Sequence, residues 1–327
     1  MTATLPDEVQ QVFDRFITTE YTAFDSTGMP ITWPVTPYYS PGAETIDVTT
    51  GLGYPKKAND ARANERVSLL FSDPTGSGIE SAPMMLVQGT ADVDDRDLAA
   101  NADRYAREAP EKLPALQELM PPKVIRGTMG WYFKRVYVRV RPERVYVWEG
   151  GDPGAEPRLL DTRLEEVRSA HAEEPEDVEP GRAPGEGIWE ERIGQLGDRY
   201  DTAVLTVPAP DGFPFSVRVP VEADAGARRV RIPADPVGAP LRPGRACLAA
   251  HDHDERFEWQ RNFQVRGDLL EDGDGWALEP RKLVGGFELP PGSNLSRMRL
   301  NAKKMMRYRK IAKRELAAIE SRRAESP

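Results

Sequence analysis

The sequence predicts a mostly β protein with helices, of the α+β class, built from two tandem antiparallel sheet units and a C-terminal helix. Three observations predict it: an ordered series of landmarks occurs twice, apolar and polar residues alternate beside Gly-containing turns, and the last segment has apolar residues at helical spacing. With 327 residues, 39% hydrophobic and 30% charged, the chain is long enough for two domains with apolar cores.

The repeat begins in each half with a helix-like segment, a strand and a turn. The helix-like segments are Asp7–Thr18 and Ile188–Gly197. The matched pairs that follow are Tyr21–Phe24 with Asp201–Val204, Ser26–Pro30 with Pro210–Pro214, Ile31–Thr36 with Phe215–Val221, Thr45–Thr50 with Arg228–Ile232, Arg66–Phe71 with Arg245–Ala249, Leu86–Gly89 with Gln264–Gly267, and Val138–Trp148 with Ala277–Phe287. Each half is therefore expected to form one antiparallel sheet.

The two halves differ before their fourth strands. The first has Lys56–Arg62 there and a later helical insertion at Asp97–Met120, whereas the second has the proline-rich Asp235–Pro243, which disfavours a helix. We expect a first sheet domain over 1–150, an acidic Pro/Gly-rich linker over 151–187 with a short helix at Asp161–His171, and a second sheet domain over 188–291. A basic amphipathic helix is expected over 292–327.

Composition excludes several classes of protein. No apolar run approaches the length that crosses a bilayer, and Met1–Gln10 lacks a signal-peptide pattern, so we expect a cytoplasmic protein without membrane contact. The net charge of −9 makes nucleic acid an unfavoured partner. We interpret the basic side of the last helix as a solvated face, with contact to nucleic acid or an anionic ligand as the alternative. One cysteine and three histidines predict neither disulfides nor a metal site.

The order of motifs in the first half resembles a known family. Its carriers are Thr22-Ala23-Phe24, Gly28-Met29-Pro30, Ile46–Thr50, Lys57-Ala58-Asn59, Asn64–Phe71 and Val87–Ala91. They are similar to segments of the pyridoxamine-phosphate-oxidase-like flavin and deazaflavin proteins. The resemblance implies two tandem FMN-binding split β-barrels, the second of them degenerate, with a cofactor in the groove between paired barrels. The sequence leaves open whether the barrels pair within one chain or in a homodimer.

The resemblance also implies which residues hold the cofactor. Lys57 would bind its phosphate with the hydroxyls of Thr49 and Thr50, because a phosphate needs a cation and short donors. Lys56 and Asn59 would assist. The backbone of Val35, Thr36 and Pro37 would lie against the ring, and Asn262 would reach it from the second half. The second half has no counterpart of Lys57, which implies one cofactor per chain.

The expected function is oxidoreduction with FMN or coenzyme F-420, by hydride transfer to or from a small unsaturated or quinone-like substrate. The catalytic residues stay unknown, and the substrate motif of pyridoxamine-phosphate oxidases has no match. One alternative is a haem-binding or haem-degrading barrel that uses His251 or His253, although a polar hairpin tip is the favoured interpretation of that pair. The other is a non-catalytic, cofactor-binding sensory module. We expect Trp131, Tyr132, Tyr137, Tyr146 and Trp148 to be mostly core residues.

Overall fold

A computed structural model describes residues 5–161, 188–286, 288–289 and 294–325. Beyond Asp161, the short helix expected at 161–171 lies outside the described residues, as does the linker over 162–187. The predicted fold class is confirmed, because the described chain forms two successive antiparallel sheets, short helices and one long C-terminal helix.

The first sheet has seven strands in the order β2-β1-β4-β5-β6-β3, with β7 also paired to β6. Its strands are β1 (Thr19–Phe24), β2 (Pro30–Val35), β3 (Ile46–Gly51), β4 (Arg66–Phe71), β5 (Met84–Asp94), β6 (Arg135–Trp148) and β7 (Arg158–Asp161). This order leaves β2 at one edge of the sheet, where one side of its backbone has no strand partner within that sheet.

The second sheet repeats that order as β9-β8-β12-β13-β14-β11, extended by β10, with β15 paired to β13. Its strands are β8 (Thr202–Pro208), β9 (Pro214–Pro220), β10 (Glu222–Asp224), β11 (Arg229–Ile232), β12 (Gly244–His253), β13 (Gln260–Asp272), β14 (Gly275–Val284) and β15 (Glu288–Leu289). The predicted repeat is therefore present in the topology of the chain. One match needs correction: the registers of the two hairpins align Tyr21–Phe24 with Leu205–Pro208 and not with Asp201–Val204.

The two sheets also share a β-bulge at matching places. The β5–β6 register shifts between Gln88 and Gly89, and the β13–β14 register shifts between Arg266 and Gly267. A Cβ on Gly89 would lie 2.2 Å from the Arg141 carbonyl oxygen, and one on Gly267 would lie 2.0 Å from that of Glu279. Both positions exclude larger residues, because the bulged backbone crosses too closely.

The helices lie mainly with the first sheet. They are α1 (Asp7–Arg15), α2 (Lys56–Ala63), α3 (Leu98–Lys112), α4 (Pro114–Leu119), α5 (Lys123–Thr128), α6 (Gly130–Phe133) and α7 (Asn294–Glu325). The insertion predicted at Asp97–Met120 breaks at Leu113, which is extended because Pro114 follows it. The helix predicted at Ile188–Gly197 is wrong: that segment holds only a 3₁₀ turn at Ile193–Gln195, and Gly197 follows it with a φ of +92°.

The two sheets pack against each other through a closed ring of four buried hydroxyls, called here the hydroxyl ring. Its Oγ to Oγ distances are 2.9 Å for Thr22–Thr32, 3.0 Å for Thr32–Thr206, 2.8 Å for Thr206–Ser216 and 3.3 Å for Ser216–Thr22. Thr22 and Thr206 hold equivalent places in β1 and β8, as do Thr32 and Ser216 in β2 and β9. The ring therefore marks a pseudo-two-fold relation between the halves.

A second set of polar contacts, the charge cluster, joins the sheets at one side of this interface. Its members, all buried or nearly so, are Glu20, Asp73, Arg218, His251 and His253. Glu20 Oε1 lies 2.5 Å from His251 Nε2 and 2.9 Å from Arg218 Nη2. Burial acts to raise the pKa of Glu20, but the hydrogen bond and charge of His251 and the charge of Arg218 outweigh it and lower that pKa.

We predict that the two bulge glycines do not tolerate alanine. Gly89→Ala and Gly267→Ala should each lower the free energy of unfolding by about 2–3 kcal/mol, because the added methyl group overlaps a carbonyl oxygen. Gly127→Ala is the control, since its Cβ would meet nothing within 4 Å on an exposed helical position. Urea unfolding of the three variants measures the effect, and a cost near zero at either bulge would contradict this packing.

We also predict that Glu20 makes the chain sensitive to acid. Glu20→Gln should cost about 3 kcal/mol at neutral pH, because it leaves the largely enclosed Arg218 without its carboxylate. Since the folded-state pKa of Glu20 lies below its ordinary value of 4.5, this difference should be full above that value and shrink as the pH falls below it. Unfolding curves between pH 3 and pH 7 test this, with the exposed Glu8→Gln as control. A pH-independent difference would contradict the assignment.

Candidate functional site

The predicted phosphate-binding lysine lies in the first turn of α2, directly after β3. The helix starts behind Pro55 and is held to the first sheet by its buried residues Ala58 and Ala61. Lys57 Nζ lies 5.9 Å from the ring centroid of Trp33 and 6.0 Å from that of Tyr54. No carboxylate or hydrogen-bond acceptor pairs with this ammonium group in the part of the chain that the structure describes.

A second cation, Arg135, lies beside it at the start of β6. Its guanidinium carbon is 3.8 Å from the Tyr105 ring centroid and 4.6 Å from that of Tyr132. One Nη donates to the Tyr54 hydroxyl at 3.1 Å and to the Tyr132 carbonyl at 3.3 Å. Nε of Arg135 is buried without a hydrogen-bond partner among the described atoms. This side chain therefore keeps donor capacity, and it has no ion pair within the described ranges.

The two cations affect each other. Removal from water and, as the smaller cause, the nearby charge of Arg135 together lower the pKa of Lys57 to about 8. Burial raises the pKa of the Tyr54 hydroxyl, so this phenol stays neutral and supplies no negative charge. A bound anion would relieve this unfavourable concentration of positive charge.

Neutral N–H donors add to the same region. Nε1 of Trp33, against whose ring Lys57 lies, is buried without a partner among the described atoms. So is Nε1 of Trp131, whose ring centroid is 5.8 Å from that of Tyr132. Lys57, Arg135, Trp33 and Trp131 are called the donor cluster below. Donors without acceptors fit a ligand that is rich in acceptor oxygens.

Four other residues expected at the phosphate have protein partners. Thr49 Oγ1 donates to the Val136 carbonyl at 3.0 Å, and Thr50 Oγ1 donates to the Tyr54 carbonyl at 2.7 Å. Lys56 pairs with Asp60 at 2.9 Å, and Asn59 Nδ2 donates to Glu315 of α7 at 3.3 Å. As adjacent residues of a strand, Thr49 and Thr50 also point to opposite faces of the sheet. Lys57 thus differs from these four, since none of the described residues gives it such a partner.

The residues expected near a ring follow the free edge of the first sheet. Val35 ends β2, and Thr36 and Pro37 follow it. The Thr32 N–H points away from the neighbouring strand β1 and donates to Gln264 Oε1 of β13 at 3.3 Å. Because backbone groups alternate in direction along a strand, every second residue counted from Thr32 also points its N–H and C=O away from β1. Pro34 falls on that outward side, where its missing N–H costs no ladder bond.

Asn262 belongs to β13, the strand that contacts β2. It pairs in register with His251, whose ring contacts Glu20, and Glu20 pairs with Pro34. This chain of neighbours places Asn262 across the interface from the end of β2. The structure brings these elements together without a direct contact between Asn262 and Lys57 among those described.

The expected position of the histidine pair is wrong. His251 and His253 lie inside β12 rather than at a hairpin tip, with 5% and 6% of their surface exposed. The carboxylates of Glu20 and Asp73 hold them there. His251 contacts Glu20. His253 Nε2 lies 3.5 Å from Asp73 and 3.0 Å from Thr18 Oγ1, and its Nδ1 lies 3.0 Å from the Asp254 carbonyl oxygen. Among the described residues no set of three or more His, Cys, Asp or Glu side chains is placed to hold a metal ion.

Sequence reasoning missed Arg135 and Tyr54 as parts of this site. Arg135 is brought beside α2 because it pairs in register with Gly51, the last residue of β3. No local motif marks this pairing, which joins two distant segments. Of the aromatic residues expected in the core, Trp148 and Tyr137 are fully buried, whereas Trp131 and Tyr132 lie half-buried in α6 beside the donor cluster.

The comparisons with known proteins concern the fold. No family model and no curated protein matches the chain. A solved FMN binding protein of Nostoc punctiforme, related to pyridoxamine 5'-phosphate oxidase, is 13% identical, with 50% of this chain and 93% of that chain covered and a TM-score of 0.37. General Stress Protein 26 of Bacillus anthracis is 13% identical, covering 47% and 96%, with a TM-score of 0.32. An F420 reductase is 15% identical, covering 43% and 98%, with a TM-score of 0.32.

No helix in the described ranges has both the length and the apolar character that a bilayer crossing needs. Each of these solved structures is similar in fold to about half of this chain.

Proposed function

We propose that this chain is an oxidoreductase that binds FMN or a deazaflavin coenzyme by its phosphate at Lys57 and transfers a hydride to or from a small unsaturated or quinone-like molecule. The observation that carries the proposal is the donor cluster, in which two desolvated cations face no carboxylate among the described residues. The motif order that resembles flavin and deazaflavin proteins supports the same assignment.

The chemistry of the donor cluster fits a phosphate ester. A phosphate carries up to two negative charges and three acceptor oxygens at neutral pH. Lys57 offers a compact ammonium, and Arg135 offers an unused Nε–H. Thr49 and Thr50 could bind the phosphate only by giving up the hydrogen bonds that their hydroxyls donate to backbone carbonyls. We therefore assign phosphate binding mainly to the two cations.

The remaining expected residues have roles that follow from their places. The backbone of Val35, Thr36 and Pro37, at the edge where β2 ends, would bound one side of a planar ring, and Asn262 would approach it from the second sheet. Such a cofactor, when bound, supplies the hydride chemistry itself. The protein would then orient the ring and exclude water, and we assign no catalytic side chain.

One cofactor per chain is part of the proposal. The place of α2 in the second half is taken by the segment between β11 and β12, which is not helical and has prolines at positions 236, 240 and 243. No lysine occurs in that segment. The haem alternative is not carried forward, because both imidazoles lie among protein partners in the charge cluster.

We predict that Lys57 and its neighbour Lys56 differ sharply in ligand binding. Lys57→Gln should weaken FMN or coenzyme F-420 binding by about 10- to 100-fold, the effect of losing one charge-assisted hydrogen bond. Lys56→Gln should change it by less than about two-fold, since Lys56 is half-exposed and pairs with Asp60. Fluorescence titration of the full chain with each cofactor measures both.

The same titration chooses between the cofactors, because the one that binds more tightly near one per chain identifies the coenzyme. If neither substitution weakens binding, the phosphate binds elsewhere. Absence of binding by both cofactors to the unsubstituted chain would overturn the proposed function.

A second prediction concerns pH. Lys57 must be protonated to bind a phosphate, and its pKa without ligand is about 8. Because a bound anion raises that pKa, affinity should be flat just below pH 8 and fall by up to about ten-fold per pH unit above it. In Lys57→Gln this fall should disappear. Titrations from pH 6.5 to pH 9.5 at constant ionic strength test it, and an identical fall in the variant would assign the titration to another group.

A further inference from the structure

The long C-terminal helix packs on the segment that carries Lys57. The Tyr308 ring of α7 stacks on Trp131, with centroids 5.3 Å apart and planes at 18°, and lies 5.8 Å edge-on from the Tyr54 ring. A Cβ on Gly53 would come within 2.9 Å of the Tyr308 Cβ. Glycine at this position therefore allows α7 to lie directly against the turn between β3 and α2.

Polar contacts fix the same helix to α2. Glu315 is buried and accepts from Asn59 at 3.3 Å and from Arg62 at 3.5 Å, both of α2. Arg322 of α7 lies 3.2 Å from Asp95, which also pairs with Arg62 at 2.6 Å. The seat of α7 is thus made of aromatic contacts beside the donor cluster and ion pairs along α2.

Tyr54 links the two sets of contacts. Its ring forms one of the two aromatic walls of Lys57, its hydroxyl accepts from Arg135, and its outer edge meets Tyr308. A displacement of α7 would remove the support of Tyr54 and of Trp131 together. The second half has neither a counterpart of α2 nor a described helix in this place, so the covering is specific to the Lys57 side.

We propose that α7 gates the Lys57 site: contact of Tyr308 with Tyr54 and Trp131 keeps it closed, and phosphate-bearing ligands exchange when that contact opens. The identity of the ligand rests on the proposed function, whereas access to Lys57 does not. A gate changes entry and exit alike, which distinguishes it from a residue that only touches the ligand.

The first test compares Tyr308→Ala with Tyr308→Phe, using Met306→Ala as the matched control on the 69% exposed outer side of the same helix. Rapid mixing with FMN and with coenzyme F-420 gives association and dissociation rates. In Tyr308→Ala both rates should rise by about 2- to 12-fold, the factor that one aromatic contact supplies, while Kd changes less than either rate. Tyr308→Phe and Met306→Ala should keep the original rates.

The second test needs no cofactor. Acetylation by a water-soluble N-hydroxysuccinimide ester, followed by peptide mass spectrometry, measures the reactivity of Lys57 relative to the exposed Lys282 of β14. Tyr308→Ala should raise the relative reactivity of Lys57 by a similar factor, and Met306→Ala should not. Glu315→Gln, which weakens the seat of α7 on α2, should act in the same direction and serves if Tyr308→Ala fails to fold.

The outcomes separate the two proposals. Raised Lys57 reactivity in a chain that binds neither cofactor would keep the gate and overturn the proposed function. Cofactor binding with unchanged rates and unchanged Lys57 reactivity in Tyr308→Ala would keep the function and overturn the gate. A rise in dissociation alone, without a rise in association or in Lys57 reactivity, would also overturn the gate, because Tyr308 would then be a ligand contact.

Discussion

The packing of one sheet on the other is the constraint on which the rest of the structure depends, and the hydroxyl ring lies at its centre. Thr22, Thr32, Thr206 and Ser216 are all fully or almost fully buried, so each hydroxyl must find its partner within the protein, and each finds two in the ring. A buried hydroxyl left without a partner costs about 1–3 kcal/mol, and a slip of one residue in any of the four strands would break the ring. The ring therefore favours one register between the sheets. That register sets β13 beside the free edge of β2, which no local feature of either sheet would do.

The two halves share a strand order but differ in their interface residues and in their helices. Because Thr22 corresponds to Thr206, the buried Glu20 of the first half corresponds to Val204 of the second. The interface is therefore charged on the side of Glu20 and apolar on the side of Val204. The charged side belongs to the end of β2 where Val35 and Asn262 lie, whereas the apolar side packs Trp148 and Leu86 against the second sheet. The same inequality appears in α2, which has no helical counterpart among the described residues of the second half. A symmetric chain would carry two such helices, whereas among the described residues the first half alone has α2 with Lys57 on it.

The sequence predicts those features of the chain that are local or repeated. Some features depend only on neighbours within a few residues: turn glycines, alternating strands and the helix at Lys56. Their order can therefore be predicted from the sequence alone. The place of Arg135 cannot be predicted in this way. It lies beside Lys57 because β3 pairs with β6, and its aromatic partners belong to α3 and α6. His251 and His253 mislead for the same reason: polar residues usually mark a turn, and only the carboxylates of the other half explain their burial.

Other enclosed cations of this fold are paired with carboxylates, and the donor cluster differs from them. Arg104 is paired with Asp47 and Glu108, Arg266 with Asp25, and Arg218 with Glu20, so half-buried or buried arginines here ordinarily have carboxylates. Leaving a charge buried without a counter-charge costs several kcal/mol, so such a charge is costly to keep for stability alone. Lys57 and Arg135 lie close enough to affect each other, in a chain whose net charge is −9. Two cations kept apart from so many available carboxylates, and enclosed by neutral phenols and indoles, are therefore the feature on which the proposed phosphate site rests.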